Sequence, residues 1–391
     1  MAPHSSAPLP RRRVLTGATL AAAGLATGDL LRSPAVAGAG TPALTPTVKW
    51  VALTGVDPDA ARRLSAGDLD DVAILSPVVP STGYATVGVT WAPGSSVAGR
   101  EFFVRSQSGR DWSRWQPMPT GEGHGPTPGS AEAHQAIPGT DPVAVGDVDA
   151  VQVKVTEAAG RRLPADLTLS VIDPGRPSAA QRAAERRSPS YRPTNGSDTV
   201  TPRPGIYSRA QWGADERMRN GFAGYGKIRV AFAHHTVNAN AYTRAEVPSI
   251  MRGIYAYHTQ SLGWSDVGYN FLVDRFGRVW EGRWGGIGQP IIGAHTYGYN
   301  EDSFAMSAIG NFELVRPARP MLRAYGRLFA WKLSREGIDA SSRVTVDGLA
   351  LHAINGHRDA GSTACPGRYL YEKLPRIRRR ATRLQDALSG S

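Results

Sequence analysis

Residues 228–235 read Ile-Arg-Val-Ala-Phe-Ala-His-His, an apolar run that ends in two histidines. A short apolar run of this kind predicts a strand buried within a sheet. Neighbouring side chains of a strand point to opposite faces, so His234 and His235 are not expected to bind one ion together. The run therefore offers one candidate ligand at the end of a buried strand.

Helices and further strands follow this run. Residues Thr243–Glu246 fit a capping box, and apolar residues then recur at three-to-four spacing up to His258, which predicts a helix of about four turns that Gly263 ends. Residues 268–273 predict a buried strand, with a hairpin turn and a return strand over 275–283. A second helix is predicted from Met321 to Glu336. Strands interspersed with helices predict an α/β domain over residues 205–391, with a central mixed sheet flanked by helices.

The N-terminal half shows a different pattern. Short runs, several of them alternating apolar with polar residues, lie between turn residues and predict antiparallel strands. These runs are 48–53, 84–91, 101–105, 150–155 and 167–172. Many short strands with few helical periods predict a separate all-β, sandwich-like domain over residues 46–173.

Two sets of side chains in this β-rich half are candidates for function. Trp112 and Trp115 could stack on sugars or pack the edge of the sandwich, since amphipathic aromatic residues serve both purposes. His124 and His134 stand in loops rich in Gly, Pro and Ala, with no partner evident in the sequence. We therefore predict an accessory domain without a catalytic cluster and leave its ligand open.

A linker is predicted between the two halves. Residues 174–204 are rich in Pro, Ser and Arg, a composition that buries little apolar surface. Residues 180–187 within this stretch predict a short helix.

The N-terminus resembles an export signal. Residues 11–15, Arg-Arg-Arg-Val-Leu, carry a twin-arginine pattern ahead of the small, apolar stretch 16–28, and Ala35–Ala37 matches a small-x-small cleavage site. The apolar stretch is shorter than the ~20 residues of a spanning helix. We therefore expect residues 1–37 to be a twin-arginine signal peptide, and the mature protein to be secreted to the cell wall without a membrane anchor.

The chain is basic, with a formal net charge of +12. Loss of residues 1–37 removes four arginines and one aspartate, which leaves +9. A basic exported protein is expected to be drawn to anionic polymers of a cell envelope. Nucleic acid is not an expected partner, because the arginines are dispersed and no basic run is interleaved with aromatic residues.

Cys365 is the only cysteine among 391 residues, and it lies eight positions after His357. It cannot form an intramolecular disulfide, so it is a core side chain, a nucleophile or a metal ligand. With His357 and one histidine of the pair 234–235, it would give two nitrogens and a thiolate. Three such ligands form an open zinc site, in which water takes the fourth position.

Six sequence motifs together carry a family resemblance. They are Ser208–Ala214, Ala233–Thr236, Gly263–Phe271, Trp280–Arg283, Gly293–Thr296 and Gly356–Gly367. In order and content they resemble the peptidoglycan recognition protein and type 2 N-acetylmuramoyl-L-alanine amidase family, over about residues 205–375. The resemblance implies a zinc amidase that cuts the bond between the lactyl group of N-acetylmuramic acid and the L-alanine of the stem peptide.

The resemblance also implies roles for single residues. His234, His357 and Cys365 match the family's zinc ligands, while His235 is expected either to pack in the core or to support one of the ligands. His352 competes with His357 by composition, but a separation of five would place the two on opposite faces of one continuing strand. Only His357 has the Gly-His-Arg context of the family. Tyr269 matches the catalytic tyrosine.

Other positions concern catalysis and substrate binding. Thr363 stands where phage relatives place a lysine, as in animal relatives that retain amidase activity, and it is a candidate helper for the oxyanion. Ser307 falls near the place of a glutamate base in some cytoplasmic relatives, so general-base work is not expected from a carboxylate there. The positions that match the substrate groove are His258, Trp264, His295 and Asn300.

Two other functions stay open at this point. A peptidoglycan receptor without activity is normally marked in this family by loss of the zinc cysteine, and Cys365 is present. The second of these functions is that of a cell-wall peptidase with a Cys-His nucleophile. Cys365-Pro366 offers no evident helix N-terminus to activate its thiolate.

Overall fold

The structure is a computed structural model and describes residues 45–121, 123–157, 164–189 and 200–389. The expected signal peptide and residues 190–199 of the expected linker lie outside these ranges. Within the described part of the chain, no helix is both long and apolar enough to cross a membrane.

The N-terminal region folds mainly from antiparallel strands. The strands are β1 (Thr47–Ala52), β2 (Val72–Leu75), β3 (Val79–Pro80), β4 (Tyr84–Thr90), β5 (Arg100–Ser108), β6 (Asp111–Trp112), β7 (Gln116–Met118), β8 (Val143–Asp147), β9 (Ala150–Glu157) and β10 (Thr168–Asp173). Two short helices, α1 (Pro58–Ala61) and α2 (Ala131–Gln135), interrupt them.

These strands form two sheets that share one core. One sheet has the order β1-β10-β4-β8, and the other has the order β2-β9-β5-β6, with β3 paired to β9 and β7 paired to β5. Val87 and Leu169 from the first sheet and Phe102 and Val153 from the second belong to the same buried cluster. The predicted all-β sandwich is therefore confirmed.

The C-terminal region begins with helix α3 (Ala179–Arg186), close to the helix predicted at 180–187. Its strands are β11 (Ile206–Tyr207), β12 (Val230–His235), β13 (Phe271–Val273), β14 (Val279–Glu281), β15 (Ser303–Ala308), β16 (Arg343–Val346), β17 (Leu349–His352) and β18 (Ile354–Gly356). Its other helices are α4 (Arg209–Trp212), α5 (Val247–Ala256), α6 (Arg319–Arg335), α7 (Arg368–Tyr371) and α8 (Leu374–Ser389). A π-helical turn, Tyr257–Ser261, extends α5.

The central sheet is mixed, with the order β11-β14-β13-β15-β12-β18, while β16 and β17 form a separate pair. Side chains alternate along β12, so Ala231 and Ala233 face α6 and α8 whereas Val230 and Phe232 face α5. Helices cover both faces, which confirms the predicted α/β domain. The alternation places His234 on the α5 side of the sheet.

Helix α5 also packs against the N-terminal sandwich. A side chain at Gly253 would overlap Thr86 of β4, and one at Gly88 would overlap the ring of Tyr257. The Tyr257 hydroxyl donates to the carbonyl of Val89 over 3.2 Å. Two glycines thus let the helix and the sheet approach backbone to backbone.

Two local expectations need correction. The strand predicted over 268–273 begins only at Phe271, because the Asn270 side chain bonds to neighbouring segments in place of a regular ladder, accepting from the Ala305 N–H and donating to the Ile291 carbonyl. His352 was expected to oppose His357 on one continuing strand. They instead follow separate strands, since β17 pairs only with β16 whereas β18 joins the central sheet.

Cations of the same domain lie against both tryptophans of the sandwich, Trp112 and Trp115. The Arg105 guanidinium lies 4.3 Å from the ring centroid of Trp112 and 4.7 Å from that of Trp115. Both rings are occupied by cations of their own domain, because Lys154 also lies over Trp115.

The close approach of α5 to β4 gives a stability prediction. Gly253→Ala should lower the free energy of unfolding by about 1–3 kcal/mol, the usual cost of overpacking, despite the better helix propensity of alanine. Urea denaturation measures the change. Thr86→Ala removes the hydroxyl and methyl groups that the new side chain would meet, so the loss caused by Gly253→Ala should be smaller in that background. The hydroxyl is buried and has no hydrogen-bond partner among the described residues, so its removal breaks no hydrogen bond there. Equal losses in both backgrounds would contradict the contact.

Candidate metal centre

Two parallel strands bring the two expected histidine ligands together. In the register of β12 and β18, Ala233 lies opposite Gly356, so the next residues, His234 and His357, meet at the same edge of the sheet. Their ring centroids are 4.6 Å apart, and both side chains are fully buried.

A turn after β18 returns the chain to this edge and places Cys365 there. The Arg358 N–H donates to the Cys365 carbonyl over 3.0 Å, and the Cys365 N–H donates to Thr363 Oγ1 over 3.1 Å. The Cys365 Sγ then lies 3.5 Å from His234 Nδ1. The structure therefore brings His234, His357 and Cys365 together as expected.

A fourth donor enters the same cluster from the N-terminal sandwich. One ligand atom each of His124, His234, His357 and Cys365 lies within 4.8 Å of the others. His124 Nε2 is 3.3 Å from His234 Nδ1. The prediction that the β-rich domain takes no part in a catalytic cluster therefore needs correction, because the partners of His124 lie in the other domain. His134, by contrast, is exposed on α2.

Oxygen atoms hold the outer nitrogen of each histidine. His124 Nδ1 lies 3.0 Å from Asp141 Oδ1, and His357 Nε2 lies 3.0 Å from the Gly123 carbonyl. Since both oxygens accept, these nitrogens carry protons, and His124 Nε2 and His357 Nδ1 are the ring atoms that face the cluster. His234 Nε2 similarly contacts Thr296 Oγ1 at 3.2 Å. Ring nitrogens held this way are typical of histidines that bind a metal.

The donor set fits a zinc ion. His357 Nδ1 is buried without a hydrogen-bond partner among the described residues, and an unpaired buried polar atom costs about 1–3 kcal/mol. Three imidazole nitrogens and one sulfur are the donors that zinc prefers. A cation among them would satisfy the nitrogen that the protein leaves unpaired.

Burial governs the electrostatics of the cluster. It lowers the pKa of His234 and of His357 well below the ordinary value, and it raises the pKa of the Cys365 thiol. For His124 burial lowers the pKa, but the Asp141 carboxylate outweighs it and raises the pKa to about 10. Binding of a cation would therefore release protons from Cys365 and His124, as metal binding to thiols and imidazoles generally does.

Tyr269 lies beside the cluster, two residues before β13. Its ring centroid is 5.5 Å from that of His234, and the side chain is buried. Burial raises the pKa of Tyr269 well above its ordinary value, so the phenol keeps its proton and can donate a hydrogen bond. Ser307, opposite both His234 and Leu272 in the sheet, has a buried hydroxyl.

The four expected groove residues lie close to the cluster but are buried, with 0–6% of their surface exposed. The His258 ring stacks 4.5 Å from Trp264, and its Nδ1 accepts the Gly268 N–H. His295 Nδ1 contacts Thr296 Oγ1 at 3.0 Å, while its Nε2 has no partner among the described residues. Asn300 Oδ1 accepts the N–H groups of residues 295 and 296.

The remaining candidates stand outside the cluster. His235 faces the opposite side of β12, where its Nδ1 accepts the Phe312 N–H, and its own backbone N–H points to Cys365 Sγ. His352 belongs to the β16-β17 pair. The hydroxyl oxygen of Thr363 is used by the Cys365 N–H, so this side chain shapes the turn that carries the thiol.

Comparison with known proteins fits this geometry. Residues 224–368 match the family model of N-acetylmuramoyl-L-alanine amidase, and residues 46–190 match a model described as Rv3811 N-terminal galactose-binding domain-like. Peptidoglycan-recognition protein SC2 of Drosophila simulans is 34% identical over 170 residues, which cover 43% of this chain and 84% of that protein. The chain belongs to the peptidoglycan recognition protein and type 2 amidase family. Peptidoglycan-recognition protein SC1a of Drosophila melanogaster is 30% identical over 173 residues, or 44% of this chain and 85% of that protein.

Solved structures of family members are also similar to the chain. Bumblebee PGRP-SA shares 31% identity, covers 44% of this chain and 94% of its own, and gives a TM-score of 0.37. Drosophila PGRP-LB shares 28% identity over 42% of this chain and 89% of its own, with a TM-score of 0.36. Both cover less than half of this chain, whose N-terminal region is the galactose-binding-like domain.

His124 is the site residue that the sequence did not reveal. It stands 110 positions before His234, in another domain, and no periodic pattern marks its loop. The one available signal was composition, since glycines flank His124 at 123 and 125 and an aspartate follows at 141. A histidine held by glycines in a loop is compatible with a buried, close approach to another segment.

The shell of oxygen atoms predicts an effect on metal affinity. Thr296→Val removes the oxygen at His234 Nε2 and should weaken zinc binding about 10–100-fold, the usual cost of losing such a partner. Competition with a chromophoric chelator measures the affinity. Thr243→Val, at an exposed threonine outside the cluster, is the matched control and should bind zinc as the wild type does. Wild-type affinity in Thr296→Val would contradict the proposed orientation of His234.

Proposed function

We propose that this family member is a zinc-dependent N-acetylmuramoyl-L-alanine amidase, which hydrolyses the amide bond between N-acetylmuramic acid and the L-alanine of the stem peptide. The observation that carries the proposal is the buried cluster of His234, His357 and Cys365 beside Tyr269. It stands in a chain of the amidase family at the positions that the sequence motifs indicated.

His234, His357 and Cys365 would hold the zinc ion. Zinc in such a site supplies Lewis acidity toward the scissile carbonyl and lowers the pKa of water, the two services that amide hydrolysis needs most. The protein contributes rigidity, because β12, β18 and the turn before Cys365 fix the three donors. Oxygen atoms on the outer nitrogens keep the two histidine rings in place.

Tyr269 would act as a hydrogen-bond donor. Attack of water on the amide carbon places negative charge on the carbonyl oxygen, and a buried phenol that keeps its proton can stabilise this charge. Thr363 is a second candidate for the same task, since its oxygen accepts the Cys365 N–H and its own proton is left to donate. Ser307 supplies no carboxylate, so these residues do not provide a general base of that kind.

The groove beside the zinc ligands would take the sugar and the stem peptide. Trp264 and His258 form a stacked pair suited to the face of a sugar, and His295 keeps a buried ring nitrogen that is available to a carbonyl of the substrate. Asn300 holds the His295 segment in place. Peptidoglycan is thus the proposed partner, and tracheal cytotoxin in a complex with Drosophila PGRP-LB is a ligand of one relative.

The proposed layout of the chain completes this assignment. Residues 1–37 would be a twin-arginine signal, 46–173 an accessory domain, 174–204 a linker and 205–391 the amidase domain. The mature protein would act at the cell wall, where its positive charge favours anionic polymers.

Two alternatives are separated by particular observations. A receptor without activity is supported by the similarity to peptidoglycan-recognition proteins, but a receptor needs no cluster of zinc donors. A cysteine peptidase needs an accessible thiolate. Cys365 is only 3% exposed, and burial raises the pKa of its thiol, which disfavours that role.

The amidase assignment predicts a specific product. Prolonged incubation of muropeptides with the full mature chain should release free stem peptide and an intact sugar fragment, both detected by mass spectrometry. A chelator should abolish the release and added zinc should restore it, whereas Cys365→Ser should stay inactive with zinc present. Cleavage within the peptide that resists the chelator would establish a cysteine peptidase instead. Bound but uncleaved muropeptide would favour a receptor.

The proposed role of Tyr269 predicts a kinetic effect without a metal effect. Tyr269→Phe should lower kcat about 10²–10³-fold, the usual loss for one donor to an oxyanion, and leave zinc affinity unchanged. Steady-state hydrolysis and metal analysis measure the two quantities. Tyr225→Phe, at a tyrosine that is 60% exposed, is the control and should behave as the wild type. A wild-type kcat in Tyr269→Phe would remove the tyrosine from the mechanism.

A further inference from the structure

The connection between β7 and β8 of the N-terminal domain lies directly over the candidate site. Its described residues 121 and 123–142, here called the covering segment, include helix α2 and the Gly123–Gly125 turn. The segment is anchored in its own domain, since the Thr140 N–H donates to the Val89 carbonyl and the Asp141 N–H to the Pro119 carbonyl. It is therefore a part of the sandwich that reaches into the amidase domain.

His124 of the covering segment stands where a fourth metal ligand would stand. Its Nε2 faces His234 Nδ1 at 3.3 Å, and its ring centroid lies 4.5 Å from that of His357. Asp141, from the same segment, holds the opposite nitrogen at 3.0 Å. The segment thus supplies both a ligand and the carboxylate that orients it, the pairing typical of a histidine that binds zinc.

Backbone carbonyls of the covering segment accept hydrogen bonds from polar groups of the groove. The Gly123 carbonyl accepts from His357 Nε2 and from the Tyr297 N–H, and the Gly125 carbonyl accepts from Asn300 Nδ2 over 2.9 Å. A bound stem peptide would offer the same kind of acceptor. The segment therefore fills the groove with peptide groups of this chain.

A buried ion pair fixes the segment to the amidase domain. Glu132 receives two bonds from the Arg283 guanidinium, at 2.8 and 3.0 Å, and accepts the Ser265 N–H over 2.9 Å. Both side chains of the pair are at most 7% exposed. Removal of one partner from such a pair leaves an unpaired buried charge, so this contact couples the segment strongly to its position.

We propose that the covering segment is an autoinhibitory plug, in which His124 closes the zinc coordination and the Gly123–Gly125 turn occupies the stem-peptide groove. The proposal rests on the proposed amidase function. A zinc ion with four protein ligands is the closed arrangement of structural sites, whereas catalytic sites keep the fourth position open. The protein is latent until the segment leaves, and the substrate or a partner of the sandwich must displace it.

The number of histidine ligands can be counted without any activity. Zinc is removed with a chelator and replaced by cobalt(II), and proton NMR then shows the paramagnetically shifted, solvent-exchangeable N–H signals of the bound imidazoles. The wild type should give three signals and His124→Ala two. His134→Ala, which removes an exposed histidine of the same segment, is the control and should give three. Two signals in the wild type would overturn the proposal.

The latency itself is tested by rates of muropeptide cleavage. His124→Ala should cleave at least about tenfold faster than the wild type, as expected if the plug leaves the site less than about a tenth of the time. Glu132→Ala should also raise the rate, because it removes the ion pair and leaves the zinc ligands intact. Glu101→Ala, at an exposed glutamate of β5, and His134→Ala should match the wild type. A wild type that cleaves as fast as His124→Ala and Glu132→Ala would overturn the latency.

Failure of the amidase proposal would look different. Suppose that no variant releases stem peptide, but that the cobalt-substituted wild type gives three N–H signals and His124→Ala gives two. The amidase assignment is then wrong, and His124 is still the fourth ligand. Titration calorimetry with the same muropeptide then tests the plug, since His124→Ala should bind at least about tenfold more tightly than the wild type. Equal affinities of the two proteins would overturn the proposal that the covering segment occupies the groove.

Discussion

The structure depends on the burial of four metal-ligating side chains at one edge of the central sheet. A buried polar atom without a partner costs about 1–3 kcal/mol, so every nitrogen of the cluster needs an oxygen, a proton or a cation beside it. Thr296, Gly123 and Asp141 satisfy the outer nitrogens of His234, His357 and His124. The inner nitrogens and the Cys365 sulfur face one another, and they are the kinds of donor that zinc prefers.

Much of this arrangement could be predicted from the sequence because it is local. The apolar run at 228–233 predicts β12, and the alternation of side chains separates His234 from His235, which the sheet places on opposite faces. The family resemblance then implies the approach of His357 and Cys365 to His234. The parallel register of β12 and β18 explains that approach, since strand ends that share an edge bring the residues after them together.

Other parts could not be predicted, because they depend on tertiary contacts. Strand β13, which follows Tyr269, starts later than predicted because the Asn270 side chain replaces ladder bonds, and nothing in the sequence of residues 268–273 reveals such a replacement. His124 is the larger case. Its place in the cluster requires the sandwich to dock on α5, and that docking requires the two glycines, Gly88 and Gly253, to face Tyr257 and Thr86. In the sequence, each of these glycines is indistinguishable from an ordinary interruption of a strand or a helix.

The covering segment connects the docking of the sandwich with the geometry of the donor cluster. Gly123 and His124 are consecutive, so one movement of the turn withdraws both the fourth donor and the carbonyl that holds His357 Nε2. A Cβ at Gly123 would lie 3.0 Å from that nitrogen, so the glycine permits an approach that other residues would hinder. After withdrawal, His357 needs a new acceptor for its N–H, and a peptide carbonyl is the group that it loses. A substrate rich in amide carbonyls can therefore compete with the segment for the same donors, and the energy of opening is offset by the bonds that the incoming peptide restores.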